Sequence, residues 1–276
     1  MPSYLDAQRI ASLCAAARHG LAVEVVATTG STNADLRQRA EQLRTPVLLA
    51  AAQQTAGRGR AGRSWLSAPD DSLCFSLAWH FSGSVARLAG LPLAVGVALA
   101  EALRSRGHPV TLKWPNDLLL DSAKLGGILV ETVAVRAPPD APALWVVIGV
   151  GINVRANCER DAGVAAPVAA LAASGEVMDR NALLAALADA LVAALSLFDA
   201  QGLAPFIDRW QRWHAYAGLP VMIVEQGRLL HEGIVRGIDG YGCLQLDTGC
   251  GLVSVAAGDL SLRPQAAMGM RDAATS

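Results

Sequence analysis

Seven residues in the first quarter of this chain concentrate positive charge on a pliable backbone. Positions 57–63 read GRGRAGR, so three guanidinium groups alternate with three glycines and one alanine. Arginine keeps its charge at every working pH and presents five donors in a planar fork, which suits phosphate and carboxylate oxygens. Glycine lets the backbone approach a ligand closely. The run predicts a loop that grips an anion, while a solvated basic loop or an RNA-contacting segment is an open alternative.

A second run, KWPNDL at positions 113–118, places a cation, an aromatic ring, an amide and a carboxylate within five residues. Pro115 restricts the backbone and favours a turn after a predicted strand. Asp117 can hold magnesium or a ribose hydroxyl, and Asn116 can contact a nucleotide. The alternative is an ordinary turn whose Asn and Asp side chains cap their own backbone.

Lys124 stands at the mouth of a predicted apolar strand and is followed by Gly126 and Gly127. An ammonium beside such a gap in the side chains suits a carboxylate or an α-phosphate. Another apolar strand ends in GVGIN at positions 149–153, which again joins glycines to a polar amide. The spacing of that run differs from a dinucleotide-binding fingerprint.

The hydroxyl and amide side chains of Ser31, Thr32 and Asn33 follow Gly30 at the predicted start of a helix. They can cap the helix, bind a ureido or carboxylate group, or do both, because helix N-terminal amides attract such groups. No Ser-His-Asp or Cys-His arrangement stands out among the serines, cysteines and histidines. Together these runs favour nucleotidyl transfer by positioning and electrostatics, without a covalent enzyme intermediate.

The elements that must position these residues are predicted to form an α+β fold, in which helices pack on a mixed β-sheet. Helices are predicted over 6–18, 31–44, 86–106, 181–200 and 206–216, and strands over 23–27, 47–52, 73–80, 110–114, 127–135 and 144–154. A hairpin through the proline-rich turn 137–140 is predicted to join the last two strands. Short β runs punctuated by glycines follow Gly218 and predict a small β-barrel. The predicted domains are 1–217 and 218–265, with a disordered tail at 266–276.

Bulk properties argue against several classes of protein. The net charge is -1, with 23 basic and 24 acidic residues, so no global basic field draws the chain to nucleic acid or anionic lipid. The longest uncharged apolar run, 88–100, is too short for a bilayer, which needs about 20 apolar residues. The five cysteines show no metal-binding or disulfide spacing, and the N-terminus makes a poor signal peptide. We expect a cytoplasmic protein that binds no membrane.

Five runs, in this order, resemble those of the biotin protein ligases. They are GSTN at 30–33, QTAGRGR at 54–60, KWPND at 113–117, KLGGILVE at 124–131 and GVGIN at 149–153. The resemblance spans most of the chain, and the β-rich end that closes in GDLSLR at 258–263 resembles the family's small SH3-like C-terminal domain. It implies a class II synthetase-like catalytic domain followed by that SH3-like β-barrel.

The resemblance also implies a two-step reaction. The carboxylate of biotin attacks the α-phosphate of MgATP to give biotinyl-5'-AMP and pyrophosphate. A lysine of biotin carboxyl carrier protein, the biotinyl domain of an acyl-CoA carboxylase, then attacks the mixed anhydride. ATP and biotin are thus the implied substrates and Mg²⁺ the implied metal, with no residue assigned to hold it. The competing interpretations are a lipoate or octanoate ligase or transferase, and a non-catalytic binding module that binds RNA or acts as a biotin sensor without transfer.

Carried over position by position, the resemblance implies three overlapping sets of site residues. The catalytic set is Lys124, Arg58 and Arg60. The biotin-binding set is Ser31, Thr32, Asn33, Gln54, Gly57, Arg58, Gly59, Arg60, Lys124, Gly127 and Gly151. The nucleotide-binding set is Arg58, Arg60, Trp65, Asn116, Asp117, Lys124, Asn153 and Arg263. Trp65 is expected either to pack over a ligand or to fill the core. The arginine loop is expected to be disordered when empty and to fold over biotinyl-AMP.

The N-terminal part departs from one branch of the family. Members that also repress transcription carry an N-terminal winged helix-turn-helix of ~60 residues, whereas only 27 residues precede Thr28. We therefore expect a monofunctional enzyme that does not bind DNA. Such folds also permit a homodimer through sheet edges, although nothing in the polarity of this chain requires one.

Overall fold

The structure is a computed structural model that describes residues 4–82, 84–134, 143–157, 161, 167–173 and 176–265. Helices α1 to α5 span Ala7–Leu13, Thr32–Gln38, Leu91–Arg104, Arg180–Gln201 and Ile207–Trp213. Two of them begin at an aspartate cap. The side chain of Asp6 accepts a hydrogen bond from the backbone amide of Arg9 at 2.8 Å, and that of Asp179 accepts two at the start of α4. Such caps satisfy amides that have no partner within the helix.

The first seven strands form one sheet in the order β1-β2-β3-β7-β6-β5-β4. Strands β1 to β7 span Ala22–Thr29, Val47–Gln54, Ser72–Ser82, Thr111–Lys113, Asp117–Leu120, Ala123–Ala134 and Ala143–Asn153. β1 and β2 pair in parallel, and the other neighbours pair antiparallel. The prediction of a mixed sheet with helices packed on it is therefore confirmed.

Apolar residues are buried against both faces of the sheet, and the clusters on the two faces differ in size. A small apolar cluster lies on the side of α2, where Leu36 packs with Leu49 and Val147. A much larger core lies on the opposite side, where α1, α3, α4 and α5 bury residues such as Leu99 and Leu191. The odd-numbered residues 73–81 of β3 face the larger cluster and Ala78 faces the smaller one, as the period-2 pattern predicts.

Two helical stretches, Val85–Arg104 and Arg180–Gln201, are long and apolar enough to cross a membrane by length and composition alone. In this fold their apolar side chains belong to the core, where Leu91, Leu103 and Leu184 are fully buried. A core helix passes the same compositional test as a membrane span.

The second sheet is antiparallel and begins at Pro220. Strands β8 to β12 span Pro220–Glu225, Arg228–Ile238, Leu244–Asp247, Leu252–Val255 and Leu260–Pro264. Their order, β11-β10-β9-β8-β12, leaves β11 and β12 at opposite edges, and no hydrogen-bonded pairing of described residues joins those edges. The predicted C-terminal β unit is therefore present as a five-stranded sheet rather than as a closed barrel. The indole Nε1 of Trp114 donates a hydrogen bond to the carbonyl oxygen of Gly242 at 3.1 Å, which ties this sheet to the first.

Several predicted boundaries differ from the observed ones. Helix α2 ends at Gln38 and is followed by the 3-10 turn Ala40–Gln42 before Pro46, so it is shorter than the predicted 31–44. Strand β5 was not predicted, and β6 begins at Ala123, so Lys124 lies within the strand instead of before it. The turn 137–140 and the tail 266–276 lie outside the described residues, and the domain boundary at 217/218 stays a prediction.

Candidate active site

A row of residues crosses four strands on one face of the sheet. Lys113 of β4 pairs with Asp117 of β5, Asp117 with Gly127 of β6, and Gly127 with Gly151 of β7. Directly paired residues of antiparallel strands point to the same side. Charged side chains therefore occupy one end of the row, and the other end is a floor without side chains.

The floor requires glycine because other groups lie against it. A Cβ at Gly151 would overlap the indole ring of Trp65, and a Cβ at Gly149 would overlap the amide of Asn33. The sequence predicted that glycines at these strands allow a close approach. The structure shows that the side chains of Trp65 and Asn33 make that approach, packing against Gly151 and Gly149 respectively.

Four uncharged side chains form a network beside the floor, which we call the amide–hydroxyl network: Thr32, Asn33, Gln54 and Ser76. The Thr32 hydroxyl lies 2.6 Å from Ser76 Oγ and donates to Gln54 Oε1 at 3.1 Å. Ser76 Oγ donates to Asn33 Oδ1 at 2.5 Å. Thr32, Asn33 and Ser76 are buried, so the network pre-orients donors and acceptors out of reach of bulk water.

Helix α2 and strand β3 place this network. Ser31 is the helix N-cap, and its Oγ accepts a long hydrogen bond of 3.5 Å from the amide of Ala34. The cap orients Thr32 and Asn33 in the first turn toward the sheet, where Ser76 of β3 meets them. Capping and the predicted binding role are thus compatible for Thr32 and Asn33, while the Ser31 side chain serves the helix.

Glu131 of β6 links the network to the arginine loop. Its Oε2 accepts from Asn33 Nδ2 at 2.9 Å, and its Oε1 accepts from Arg37 at 2.7 Å. Arg58, the first arginine of the loop, is exposed and lies 3.4 Å from the same carboxylate. One carboxylate therefore contacts both an amide of the buried network and a guanidinium of the arginine loop.

The arginine run folds as a short hairpin. Trp65 donates its backbone amide to Gly57 at 2.9 Å, Arg58 and Ser64 form a β-bridge, and Gly59 donates to Arg63 at 2.7 Å. The tip turns through Ala61 and Gly62, which have positive φ angles of 54° and 69°. A single folded conformation does not test whether the loop orders only on binding, so that expectation stays a prediction.

Trp65, at the base of the hairpin, covers the glycine floor. Its ring faces Gly127 and Gly151, and Lys124 Nζ lies 5.9 Å from the ring centroid. Among the described residues, nothing accepts a hydrogen bond from its buried Nε1. Trp65 is half-buried at the site. It thus packs against the protein interior, as a core residue would, and also lies where it can cover a ligand.

The charged end of the row is organised around Asp117. Its Oδ1 lies 2.7 Å from Lys124 Nζ. The neighbouring Asn116 donates Nδ2 to the carbonyl oxygen of Ile128 at 2.8 Å and accepts from Arg60 Nη1 at 2.9 Å. The KWPND and KLGG runs, eleven residues apart at their lysines, thus form one cluster with the loop.

Arg60 connects this cluster to the second sheet. Besides Asn116, it donates to the carbonyl oxygen of Gly258, which precedes β12. Burial lowers the pKa of the Arg60 guanidinium, and the nearby carboxylates of Asp117 and Asp259 oppose that shift. Arg263 of β12 is close enough to this cluster for its charge to act on Lys113.

Two predicted site residues have structural contacts that occupy their side chains. Asn153 is buried, and its Nδ2 donates to the carbonyl oxygens of Lys124 and Ala169 at 3.3 and 3.1 Å. It therefore fixes the backbone that carries Lys124. Ser31, as the helix cap, is the other. Their predicted ligand contacts stay predictions.

Three contributors to the site were not among the predicted residues. Ser76 is the hydroxyl residue within the otherwise apolar stretch 73–79 of β3, which is a signal that sequence reasoning could have used. Glu131 ends the quoted KLGGILVE run, and Lys113 begins the quoted KWPND run. Neither could be assigned a partner before the strand register was known.

Within the described ranges, no group of three or more His, Cys, Asp or Glu side chains is arranged to hold a metal ion. Asp117 is the carboxylate at the centre of the cationic cluster. A magnesium ion that arrives with a nucleotide needs only one or two protein carboxylates, because phosphates and water supply the other ligands. The donor set is consistent with that mode and with no larger protein cage.

Family comparisons agree with this geometry. The sequence model of the Biotin/lipoate A/B protein ligase family matches residues 23–153, which include the row and the arginine hairpin. The model of the Biotin protein ligase C terminal domain matches residues 221–263, which form the second sheet.

Named relatives match over most of their length. The bifunctional ligase/repressor BirA of Escherichia coli (strain K12) is 37% identical over 245 residues, which are 88% of this chain and 75% of that protein. The biotin--[acetyl-CoA-carboxylase] ligase of Mycobacterium tuberculosis is 34% identical over 255 residues, 86% of this chain and 88% of that one. The biotin protein ligase of Aquifex aeolicus, solved with biotin and ATP, superposes with a TM-score of 0.73 at 26% identity and covers 88% of this chain and 99% of its own. The chain therefore belongs to the biotin protein ligase family.

Proposed function

We propose that this chain catalyses the ATP-dependent attachment of biotin to a lysine of biotin carboxyl carrier protein, through biotinyl-5'-AMP. It would thus act as a biotin-[acetyl-CoA-carboxylase] ligase. The observation that carries the proposal is the row across the sheet, in which an uncharged floor with the amide–hydroxyl network adjoins the Lys124–Asp117 pair. The two ends suit an uncharged ureido ring and a reacting carboxylate with its phosphate.

The uncharged end supports biotin recognition. A ureido ring has one carbonyl acceptor and two N–H donors, and hydroxyl and amide side chains offer both complements. The donors and acceptors of Thr32, Asn33 and Ser76 already hold one another in place. Because these side chains are already held in place, little of their conformational freedom is lost when a ligand binds them.

The charged end supports adenylation. The carboxylate and the triphosphate repel each other, so cations must hold them together before one carboxylate oxygen can attack the α-phosphorus. Lys124 and Arg60 lie where their charged hydrogen bonds can do this, each worth roughly 1.5–3 kcal/mol. The new oxygen–phosphorus bond forms as the bond to the β-phosphate breaks, and pyrophosphate leaves with the electron pair.

Mg²⁺ is proposed to enter with ATP, and Asp117 is the carboxylate that would hold it. When bound, the ion would neutralise charge on the phosphate oxygens. The chain's own residues orient the substrate and exclude water. Because the hairpin carrying Trp65 covers the floor, it also shields the reactive anhydride from hydrolysis.

The second step needs access for a lysine of the carrier protein. A cleft opens at the base of the hairpin, lined in part by Gln54, Gly57, Ser64, Trp65 and Leu66. The acceptor amine would attack the carbonyl carbon of the anhydride, form the amide and release AMP. Access along this cleft leaves the hairpin closed over the adenylate during transfer.

The cellular setting is also a proposal. Cys14, Cys243 and Cys250 are free thiols in the structure, and free thiols are typical of the reducing cytoplasm, where ATP and a carboxylase subunit are present. The absence of DNA binding stays a prediction that a gel-shift assay can test. Homodimer formation likewise stays a prediction, for which sedimentation is the direct measurement.

One experiment separates this function from its competitors. The purified chain is incubated with MgATP and either biotin or lipoate, and pyrophosphate release and the acyl-adenylate are followed. Biotin-dependent pyrophosphate release and transfer to a biotinyl domain are expected. Turnover with lipoate alone would identify a lipoate ligase, and biotin binding without adenylate would identify a sensor.

A further inference from the structure

The carboxylate of Glu131, on β6, is surrounded by hydrogen-bond donors. Its Oε2 accepts from Asn33 Nδ2 at 2.9 Å, and its Oε1 accepts from Arg37 Nη1 at 2.7 Å. Arg58 Nη2 lies 3.4 Å from the same Oε1. A guanidinium offers only donors, and an ionised carboxylate offers only acceptors. A glutamine here would set its own N–H groups against one of these donors. The position therefore requires a side chain that accepts at both ends.

Glu131 decides which way the amide of Asn33 faces. The Nδ2 atom has two neighbours, the Glu131 carboxylate and the carbonyl oxygen of Leu129 at 3.4 Å, and both can only accept. The nitrogen and oxygen of a side-chain amide are told apart by such partners. Asn33 Oδ1 therefore faces Ser76 Oγ, 2.5 Å away. Because an amide oxygen only accepts, Ser76 must give its hydroxyl proton to Asn33.

The same direction continues from Ser76 to Thr32. Their hydroxyl oxygens lie 2.6 Å apart, and by distance alone either could be the donor. Since the Ser76 proton is used, the Thr32 hydroxyl donates in this contact. Its proton also faces Gln54 Oε1 at 3.1 Å, which can only accept. No residue in the described part of the chain is then left to donate to Thr32 Oγ1, so the lone pairs of this oxygen are open to a ligand.

Gln54 presents the opposite polarity beside that oxygen. Its Oε1 accepts from the backbone amide of Thr32 at 2.8 Å, which fixes the amide of Gln54 in turn. Among the residues that the structure describes, none accepts a hydrogen bond from Gln54 Nε2, and Gln54 lines the cleft at the base of the hairpin. An acceptor and a donor side by side match the N–H and C=O groups of a urea.

We infer that Glu131 is a positioning residue that sets the direction of every proton in the amide–hydroxyl network, and thereby makes Thr32 Oγ1 an acceptor for a ureido N–H. The inference rests on the proposed function. The hydrogen bonds run from the ligand N–H through Thr32, Ser76 and Asn33 and end on the carboxylate. No proton changes place. Each bond polarises the next, so the negative charge at one end strengthens the acceptor at the other.

This chain of hydrogen bonds bears on which acids are rejected. An acid whose ring has no N–H group, such as lipoic acid, leaves Thr32 Oγ1 buried without a donor. A site built to pair a polar group of its substrate discriminates strongly against an analogue that lacks the group, because the site's own polar atom stays unpaired. Selection of the acid thus depends on Glu131 although its carboxylate does not touch the ligand.

The test compares biotin with an isostere in which ring oxygens replace both ureido N–H groups, so that the urea becomes a cyclic carbonate. Binding of each to the wild type and to Glu131→Gln is measured by calorimetry without ATP. In the variant, the amide oxygen should face the arginines and the amide nitrogen should turn the Asn33 amide over. The Kd for biotin is expected to rise about 10- to 100-fold, while that for the carbonate changes less than about threefold.

Two further variants control this comparison. Glu131→Asp keeps a group that only accepts, on a shorter side chain, and is expected to fall between the wild type and Glu131→Gln. Glu41→Gln removes a carboxylate at an exposed position and is the matched control, with both Kd values expected to stay at the wild-type level.

Equal losses of affinity for biotin and the carbonate would show that Glu131 is merely structural and would overturn the inference. An unchanged Kd for biotin also overturns it. Should Glu131→Gln not fold, Ser76→Ala interrupts the same chain of hydrogen bonds and is expected to show the same selective loss of biotin affinity. A wild type that binds no biotin would refute the proposed function together with the inference, whereas equal losses overturn the inference alone, so the two failures are distinguishable.

Discussion

The two ends of the site solve different binding problems by different means. At the uncharged end, hydrogen-bond contacts of 2.5–3.1 Å join Thr32, Asn33, Gln54 and Ser76. At the cationic end, Lys113, Lys124, Arg60, Arg63 and Arg263 outnumber the carboxylates that face them. The first end is hydrogen-bonded before a ligand arrives, whereas the second carries a surplus of positive charge.

This difference has a physical reason. An uncharged ring is recognised by the direction of its hydrogen bonds, so the site must be rigid before the ligand arrives. A polyphosphate is recognised by charge, so a surplus of cations serves even if some side chains adjust. The uncharged end should therefore govern which acid is selected, and the cationic end should govern how fast the acid is activated.

Lys124→Ala should have the largest effect. It removes the ammonium beside Asp117 and should reduce the adenylation rate roughly 10²- to 10³-fold, while biotin binding stays close to that of the wild type. Single-turnover formation of biotinyl-AMP and a separate biotin titration measure the two quantities. Lys124→Arg keeps the charge and is the matched variant. Unchanged pyrophosphate release would remove Lys124 from the cationic end.

Asn33→Asp, at the uncharged end, should have the second largest effect. In the wild type, Asn33 Nδ2 donates a hydrogen bond to the Glu131 carboxylate at 2.9 Å. The substitution removes this donor and places a second carboxylate beside Glu131. The KM for biotin should rise about 10- to 100-fold with little change in the KM for ATP.

Gln38→Glu adds a carboxylate at an exposed position of the same helix and controls for charge alone. A parallel rise in both KM values for Asn33→Asp would show that the two ends do not act separately.

Arg60→Gly tests the hairpin where it joins the two sheets. Loss of the hydrogen bonds to Asn116 and Gly258 should speed the release of biotinyl-AMP about tenfold. Released adenylate should label lysines of added albumin, detected with streptavidin. Because the chain has only Lys113 and Lys124, both partly buried at the site, the albumin should be labelled far more than the enzyme itself. An unchanged off-rate of the adenylate would contradict this role. Arg106→Gly, which removes an arginine at an exposed position, is the control.

The smallest expected effect concerns stability rather than rate. His214 lies against Leu112, next to Lys113, and stacks on Trp210 with ring centroids 4.3 Å apart. Burial lowers its pKa from 6.5 to about 3, so the native state keeps it neutral beneath the cationic end. Between those two pH values the unfolded state binds a proton that the native state does not. Stability should therefore fall as the pH falls from 6.5 toward 3, by at most about 1.4 kcal/mol per pH unit from this residue.

His214→Phe should reduce that slope. Urea unfolding at pH 7, 6 and 5 measures it, and His19→Phe, at an exposed position, is the control. Equal slopes for wild type and His214→Phe would show that His214 is not held neutral by the fold.

Much of the fold and the chemistry was predictable from short runs. The alternation over β3 and the β-branched run in β1 indicated strands, since one period of side chains per two residues is a local property. The GRGRAGR run indicated a loop that grips an anion, and the resemblance of KWPND and KLGG to the family's runs implied a nucleotide site. Strand β5 was missed because it has only four residues, Asp117–Leu120, directly after a proline turn.

Which residues those side chains contact is decided by strand register and by the folding that brings distant parts of the chain together. Ser76 reaches Asn33 across 43 positions, Glu131 reaches Arg58 across 73, and Arg60 reaches Gly258 across 198. A register shift of one residue turns every side chain of a strand to the opposite face. Thus the residue types that carry the chemistry are evident in the linear chain. Only the tertiary structure decides that Lys113 shares a face with Asp117, Gly127 and Gly151, because pairing between strands is set by the packing of both faces of the sheet.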